Sequence, residues 1–256
     1  ANLLATPQRP PRVRADLNVG PGQFVLVNPD TGDADFSLAH QGADMRIRTS
    51  VAGALESELT LTLGEGEVIV LALQSSLARG WPKAPMRHPL KGRLTASLGE
   101  LGFVSSIIPD VQNFNGSLDV DVQLAGTLNS PRLSGYARLD EGRLDIPRMG
   151  LNLTAIHLAA SGHNSKKMVL DGGARSGPGE LVLSGQLAPT ETGIWGLELS
   201  ISGKEFEVAR IPEARVLISP DLKASIIGRE IRLEGEIDIP TARLEPPDIS
   251  LAVRPS

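Results

Sequence analysis

The sequence predicts an all-β protein built on a long, curled, antiparallel-rich sheet with little helix. Alternation of aliphatic and polar residues runs through most of its 256 residues. Successive side chains of a strand point to opposite faces, so each alternating run is apolar on one side and wet on the other. Turn compositions punctuate the runs at NPDTGD, GEGE, DGGARSGPGE and APTETG, where Gly, Pro, Asn and Asp favour chain reversal. Helical periodicity is nearly absent.

The runs follow in order. Val13, Ala15, Leu17 and Val19 share a face against Arg12, Arg14, Asp16 and Asn18. Met45, Ile47, Val51, Leu55, Leu59, Leu61 and Leu63 all fall on odd positions, with Gly53 as a bend within the run. VIVLAL, from Val68 to Leu73, suits a strand. In TASLGELGFVSSIIPDV, Leu98, Leu101, Val104 and Ile108 line one side of a short helix that Pro109 ends. GSLDVDVQLAG sets Leu118, Val120, Val122 and Leu124 against Asp119, Asp121 and Gln123. Leu197, Leu199 and Ile201 form the next strong run. Then Ile231, Leu233, Ile237 and Ile239 stand opposite Arg232, Glu234, Glu236 and Asp238. Roughly seventeen strands at about 4.8 Å spacing give one sheet on the order of 80 Å long. Such a sheet twists and must curl to hide its apolar face, as a barrel, a sandwich or an open trough.

Composition narrows the function classes. Hydrophobic residues at 41% and charged residues at 21% describe a folded chain, and aromatics at only 3% leave Leu, Ile, Val and Ala to fill the interior. A net charge of -5, with no basic stripe interleaved with aromatics, argues against a nucleic-acid partner. Without cysteine, disulfides say nothing of the compartment. The longest apolar run is far too short to span a bilayer. The start, ANLLATPQRPP, has no signal-peptide pattern and reads as a cut inside a longer protein, so an anchor or export signal is expected outside these residues.

No catalytic or metal constellation emerges, and no cofactor is expected. Asp119 with Asp121, and Glu234 with Glu236 and Asp238, alternate with apolar residues and read as solvated faces rather than a glycosidase pair or a Ca²⁺ site. His157, His163 and Asp171 lack ligand spacing, and His40 and His88 are isolated. GGARSGPGE lacks the Lys-Ser/Thr of a phosphate loop and leads into strand residues Leu181 and Leu183, which makes it a hairpin turn. Neither a G-x-S-x-G elbow nor an H-E-x-x-H helix occurs.

One internal repeat stands out. LSGYARLDEGRLDIPRMGLNL, from Leu133, aligns without gaps on LEGEIDIPTARLEPPDISLAV, from Leu233. Leu133/Leu233, Gly135/Gly235, Arg143/Arg243, Leu144/Leu244, Pro147/Pro247 and Leu151/Leu251 are identical. A repeated strand-turn-strand unit is what a stacked β structure requires. Arg143 and Arg243 read as rim positions with acidic neighbours.

These residues carry a resemblance. GTLNSPRLSG at Gly126 to Gly135 and the IPTARLEP segment ending at Pro246 are its most specific pieces, and it extends from about Leu90 to Pro247. The chain resembles the C-terminal region of the TamB family, within the AsmA-like group of Gram-negative envelope proteins. The resemblance implies a β-taco, a long sheet folded over a hydrophobic groove, in one continuous segment over 1–256 with a subdivision near 80–90. It implies a non-enzymatic periplasmic role, anchored in the inner membrane by a segment absent here, in bridge-like phospholipid transfer between the two membranes. It implies the outer-membrane barrel protein TamA as partner. Assembly of outer-membrane or autotransporter proteins by β-augmentation is the alternative.

By pattern alone the aliphatic faces favour the dry core of a sandwich or barrel; the resemblance turns them toward a groove. Exposing an acyl chain to water costs about 0.8 kcal/mol per CH₂, roughly 12 kcal/mol for fifteen methylenes, so a carrier must shield the chain along its length. The expected groove lining is Ile47, Val51, Leu55, Leu59, Leu61, Leu118, Val120, Val122, Leu124, Leu197, Leu199, Ile201, Ile231, Leu233, Ile237 and Ile239.

Overall fold

Alternation becomes strand almost throughout. The computed structural model describes residues 12–245 apart from 28–33, 51, 65, 77–87, 100, 107, 109, 128–129, 191–193 and 229. Of the described residues 82% are strand and 4% helix. The strands are β1 (Arg14–Val19), β2 (Gly22–Val27), β3 (Ala34–His40), β4 (Gly42–Thr49), β5 (Ala54–Gly64), β6 (Glu67–Ser76), β7 (Lys91–Leu98) and β8 (Gln112–Thr127). They continue as β9 (Ser130–Ile146), β10 (Leu151–Ser165), β11 (Met168–Ser176), β12 (Gly179–Pro189), β13 (Trp195–Lys204), β14 (Phe206–Ile211), β15 (Ala214–Ile227) and β16 (Glu230–Leu244).

Fourteen of these form a single antiparallel sheet in the order β1-β4-β5-β6-β7-β8-β9-β10-β11-β12-β13-β15, with β14 and β16 also paired to β15. Residues 221–226 of β15 pair with both β13 and β16, so those two lie on opposite edges of it. The sheet does not close: β1 and β16 are its ends, and every residue of both is exposed. Between them the path crosses thirteen strands, about 58 Å at about 4.8 Å per step. β2 and β3 form the remaining two-stranded sheet. They prolong the β1–β4 pair past Gly20 and Gln41, and β3 packs against β5 and a 3-10 helix at Gly102–Ser106.

Two expectations change in detail. The odd-numbered run from Met45 to Leu63 is a hairpin, not one bent strand. Ser50 donates its N–H to Ala54 O, and Gly53 takes φ +81°, which reverses the chain between β4 and β5. Parity survives the turn because Met45 pairs with Leu59 and Thr49 with Leu55. The helix expected from Leu98 to Ile108 contracts to the 3-10 turn, since Leu98 belongs to β7 and Gly99 and Gly102 weaken a longer helix. Val51, Pro109, the NPDTGD turn and the repeat beyond Glu245 lie outside the described residues.

Two groups of buried side chains bear on the site. Leu98, Leu101 (2% exposed) and Phe114 form a core with Phe103, Val104, Leu118, Leu139 and Leu144 under the 3-10 turn. At the same end of the sheet β14 packs on β10, β11 and β12, burying Phe206 and Ala209. There Glu207, also buried, accepts a 2.8 Å bond from Arg215 Nε, while Ser176 Oγ donates to the Glu207 carbonyl at 2.7 Å.

The internal repeat is a repeat of structure. Gly135 pairs with Val122 and Gly235 with Leu222; Arg143 pairs with Asn115 and Arg243 with Arg215. Each correspondence is offset by the same 100 residues. Gly135 has φ +116° and Gly235 φ +137°, and a Cβ on either would overlap the backbone carbonyl of Asp121 or Asp221. Glycine is required twice for one reason: two backbones approach too closely for any side chain. Gly135→Ala is expected to cost about 1–3 kcal/mol in denaturant unfolding. Gly20→Ala, with nothing within 4 Å of its Cβ, is expected to leave the midpoint in place.

Asp145 clasps three strands, accepting from Asn113 Nδ2 at 2.7 Å and Asn152 Nδ2 at 2.6 Å. The bond from Asn113, then that from Asn152, holds its pKa below the usual carboxylate value. Stabilisation from a depressed pKa is present above the unfolded-state value and lost as pH falls through the folded one. Asp145→Asn is therefore expected to lose less stability than wild type on acidification, measured as the denaturation midpoint against pH.

A continuous apolar face as the candidate functional site

Side chains of directly paired residues in antiparallel strands share a face, so register alone decides which residues meet. Starting from Val19 the pairs run Ala43, Leu61, Ile69, Ala96, Val120, Ala137, Ala160, Leu170, Gly185, Leu199, Ala224 and Leu233. No polar side chain interrupts the row in thirteen strands. A parallel row includes Leu17, Met45, Leu59, Leu71, Leu94, Val122 and Gly135, and resumes as Leu187, Leu197, Ile226 and Ile231.

The described residues among those singled out from the sequence share this face, and Val51 lies outside them. Leu61, Val120, Leu199 and Leu233 lie in the first row, and Leu59, Val122, Leu197 and Ile231 in the second. Ile47, Leu55, Leu118, Leu124, Ile201 and Ile237 pair on the same face in flanking rows. Ile239 keeps the parity of β16 where its register to β15 shifts. Exposure is uneven: Ile231 is 71% exposed and Leu233 57%, whereas Leu118, Val120, Val122, Leu197 and Leu199 are half-buried.

The middle of the face is concave. A cavity of about 590 Å³ is lined by Phe103 and Val104 of the 3-10 turn and by Phe114, Leu118, Leu139, Leu158, Leu170, Leu183, Leu197 and Leu199 of the sheet. Leu118 on β8 and Leu199 on β13 are five strand steps apart yet share this space, so the sheet curls around it. The volume lies within the roughly 300–1,000 Å³ of small-ligand sites. Ile47, Leu55, Leu59, Leu61, Val120, Val122, Leu124, Ile201 and the β16 residues lie outside it.

Sequence reading passed over Ala96, Ala137, Leu158, Ala160, Leu170 and Leu183. On β10 the register shifts between Thr154 and His157, beside Ala155 at φ +49°, which breaks simple alternation. On β9 and β11 small residues stand where Leu or Val would mark the pattern. Only pairing with neighbours recovers them.

The other face is wet. Arg93 donates to both Asp121 carboxylate oxygens, at 2.9 and 2.7 Å, and that bond holds Asp121 below the usual carboxylate range. Asp119 pairs with Ser97 and Arg138 on this face, and Glu234, Glu236 and Asp238 lie exposed on β16. His157 Nδ1 lies 3.1 Å from Ala155 O, and among the described residues no three His, Cys, Asp or Glu gather as a metal site would require. GGARSGPGE is the expected hairpin, Ser176 pairing with Gly179 across Gly177 and Pro178.

Residues 171–253 match the TamB C-terminal domain family. The chain is similar to the translocation and assembly module subunit TamB of Haemophilus influenzae, with 24% identity over 156 residues. That alignment covers 61% of this chain and 12% of the TamB relative, so the chain spans a small part of the relative's length. No solved structure matches the chain. No helix among the described residues is long and apolar enough to cross a membrane.

Packed and open parts of the TamB-like face are expected to respond differently to truncation. Leu101→Ala, in the core, is expected to cost about 2–5 kcal/mol, whereas Leu233→Ala is expected to stay within about 0.5 kcal/mol, both read from denaturant unfolding.

Proposed function

We propose that this TamB-type segment conducts phospholipid, shielding acyl chains on its apolar face while headgroups remain in water. The observation that carries the reading is the first row, apolar at every position from Val19 to Leu233. A closed core needs no such row to reach both ends of the sheet; a conduit does. Small residues at Ala96, Ala137, Ala160 and Gly185 leave room beside Leu170 and Leu199, and aliphatic walls without polar anchors let a chain slide. The unbroken pairing of β6 with β7 supports one continuous segment over 1–256. The segment acts without catalysis, in the periplasm between an inner-membrane anchor carried elsewhere and the outer-membrane partner TamA.

Phospholipid is expected to co-purify with the chain and to be detected by native mass spectrometry. Val120→Asp and Ile237→Asp, placed in half-buried and exposed parts of the face, are expected to reduce lipid transfer between vesicles severalfold or more with the fold retained by circular dichroism. Lipid-free wild type, together with undiminished transfer in both variants, would sink the reading.

A second reading rests on β16. Over 15 residues it pairs, among the described residues, with β15 alone. A free edge of that length supports β-augmentation of an outer-membrane client strand. Proline substitutions on its outer edge would then abolish activity while charges on the apolar face would not.

A further inference from the structure

β16 repeats β9 but not its surroundings. The internal repeat sets Leu133, Gly135 and Ala137 of β9 against Leu233, Gly235 and Ile237 of β16. β9 is paired antiparallel on both edges, by β8 and by β10. β16 is paired by β15 as β9 is by β8, but the edge that answers to the β10 side has no partner among the described residues. The repeat therefore gives the geometry of a fitting occupant: an antiparallel strand lying on β16 as β10 lies on β9.

Between the two strands the positions on the apolar side keep their character and the alternate ones change. Ser134, Tyr136 and Arg138 on β9 become Glu234, Glu236 and Asp238 on β16. Register sets these three on the wet face, opposite Lys223, Asp221 and Ser219 of β15. The Glu236–Asp221 pairing puts two carboxylates directly opposite, an arrangement that costs stability. From Glu230 to Asp238 the strand has four carboxylates and one cation, Arg232, which meets Glu230 at 3.6 Å. Glu234, Glu236 and Asp238 are exposed, and among the described residues they enter no ion pair or side-chain hydrogen bond.

Such an edge repels its own kind. Two copies of β16 paired antiparallel about a two-fold axis at Glu234, Gly235, Glu236 or Ile237 would put carboxylate opposite carboxylate, which protects the edge from self-association. A strand with Lys or Arg at alternate positions is received differently. Its cations would face Glu234, Glu236 and Asp238 and relieve the Glu236–Asp221 contact. Its remaining residues would fall beside Leu233 and Ile237, both exposed on the apolar face, and aliphatic side chains suit that place.

We infer that the free edge of β16 receives an antiparallel strand of another polypeptide in which basic and aliphatic residues alternate. The inference rests on the β-augmentation reading and adds the direction and chemistry of the partner. The added strand extends the apolar face by one step and neutralises the acidic row on the other side.

Fluorescence anisotropy with the whole chain tests it, using a labelled peptide of alternating Lys and Val and a second of alternating Glu and Val. Wild type is expected to bind the Lys peptide about tenfold more tightly at low salt, roughly twofold for each of the three facing carboxylates. The Lys peptide N-methylated at alternate backbone nitrogens keeps its charge but not its ladder bonds, and is expected to lose binding. A variant carrying Glu234→Lys, Glu236→Lys and Asp238→Lys is expected to reverse the preference, whereas Asp16→Asn, at the β1 edge, is expected to keep it. An unchanged preference in the triple variant would overturn the assignment to β16. Equal binding of the two peptides would overturn the charge selection alone; binding of neither, or undiminished binding of the N-methylated peptide, would count against β-augmentation itself. Dimerisation of wild type in sedimentation that the triple variant abolishes would make the occupant a second copy and overturn the inference.

Discussion

Everything in this molecule depends on the antiparallel ladder holding its register from β1 to β16. Side-chain direction has a period of two, so a slip of one residue in any pair would turn the rest of the apolar face outward. Connections of very different length join the strands, yet the Val19-to-Leu233 row is preserved through all of them. Where alternation is broken, at the β8, β9 and β10 bulges, the shifts leave this row intact. Gly135 and Gly235 serve the same end. By admitting a neighbouring carbonyl where a side chain would stand, each lets two strands approach without losing register.

Curling follows from what the face must do with its apolar area. A sheet of this extent left flat would expose it; closed into a barrel, it would fill with its own side chains. The TamB-like chain does neither. Its centre is covered at the 3-10 turn, where Leu101, Phe103 and Val104 pack with Phe114, Leu118 and Leu139. Its β16 end stays open. With aromatics so scarce, the filling between turn and sheet is aliphatic and leaves a cavity rather than a solid core.

Charge is arranged with comparable economy. The wet face carries cross-strand pairs such as Arg93 with Asp121, which are exposed and contribute little to stability but keep that face soluble. The rim near β14 is tied by ion pairs and by the buried Glu207–Arg215 contact. The two faces are thus chemically distinct, although one alternating pattern builds both.

The sequence by itself determined the all-β class, the strands with clean alternation, the hairpin at GGARSGPGE and the repeat linking Leu133 to Leu233. Those features are local, or compare two stretches of chain. It also determined that Val120, Leu199 and Leu233 each belong to an apolar side, because parity within a strand needs no partner. Only the tertiary structure decided that these sides are one side. Pairing register is a relation between strands, and no single strand encodes it. The bulges that switch parity on β10, the small residues at Ala137, Ala160 and Gly185 that complete the row, and the meeting of β8 with β13 around one cavity all depend on neighbours distant in sequence.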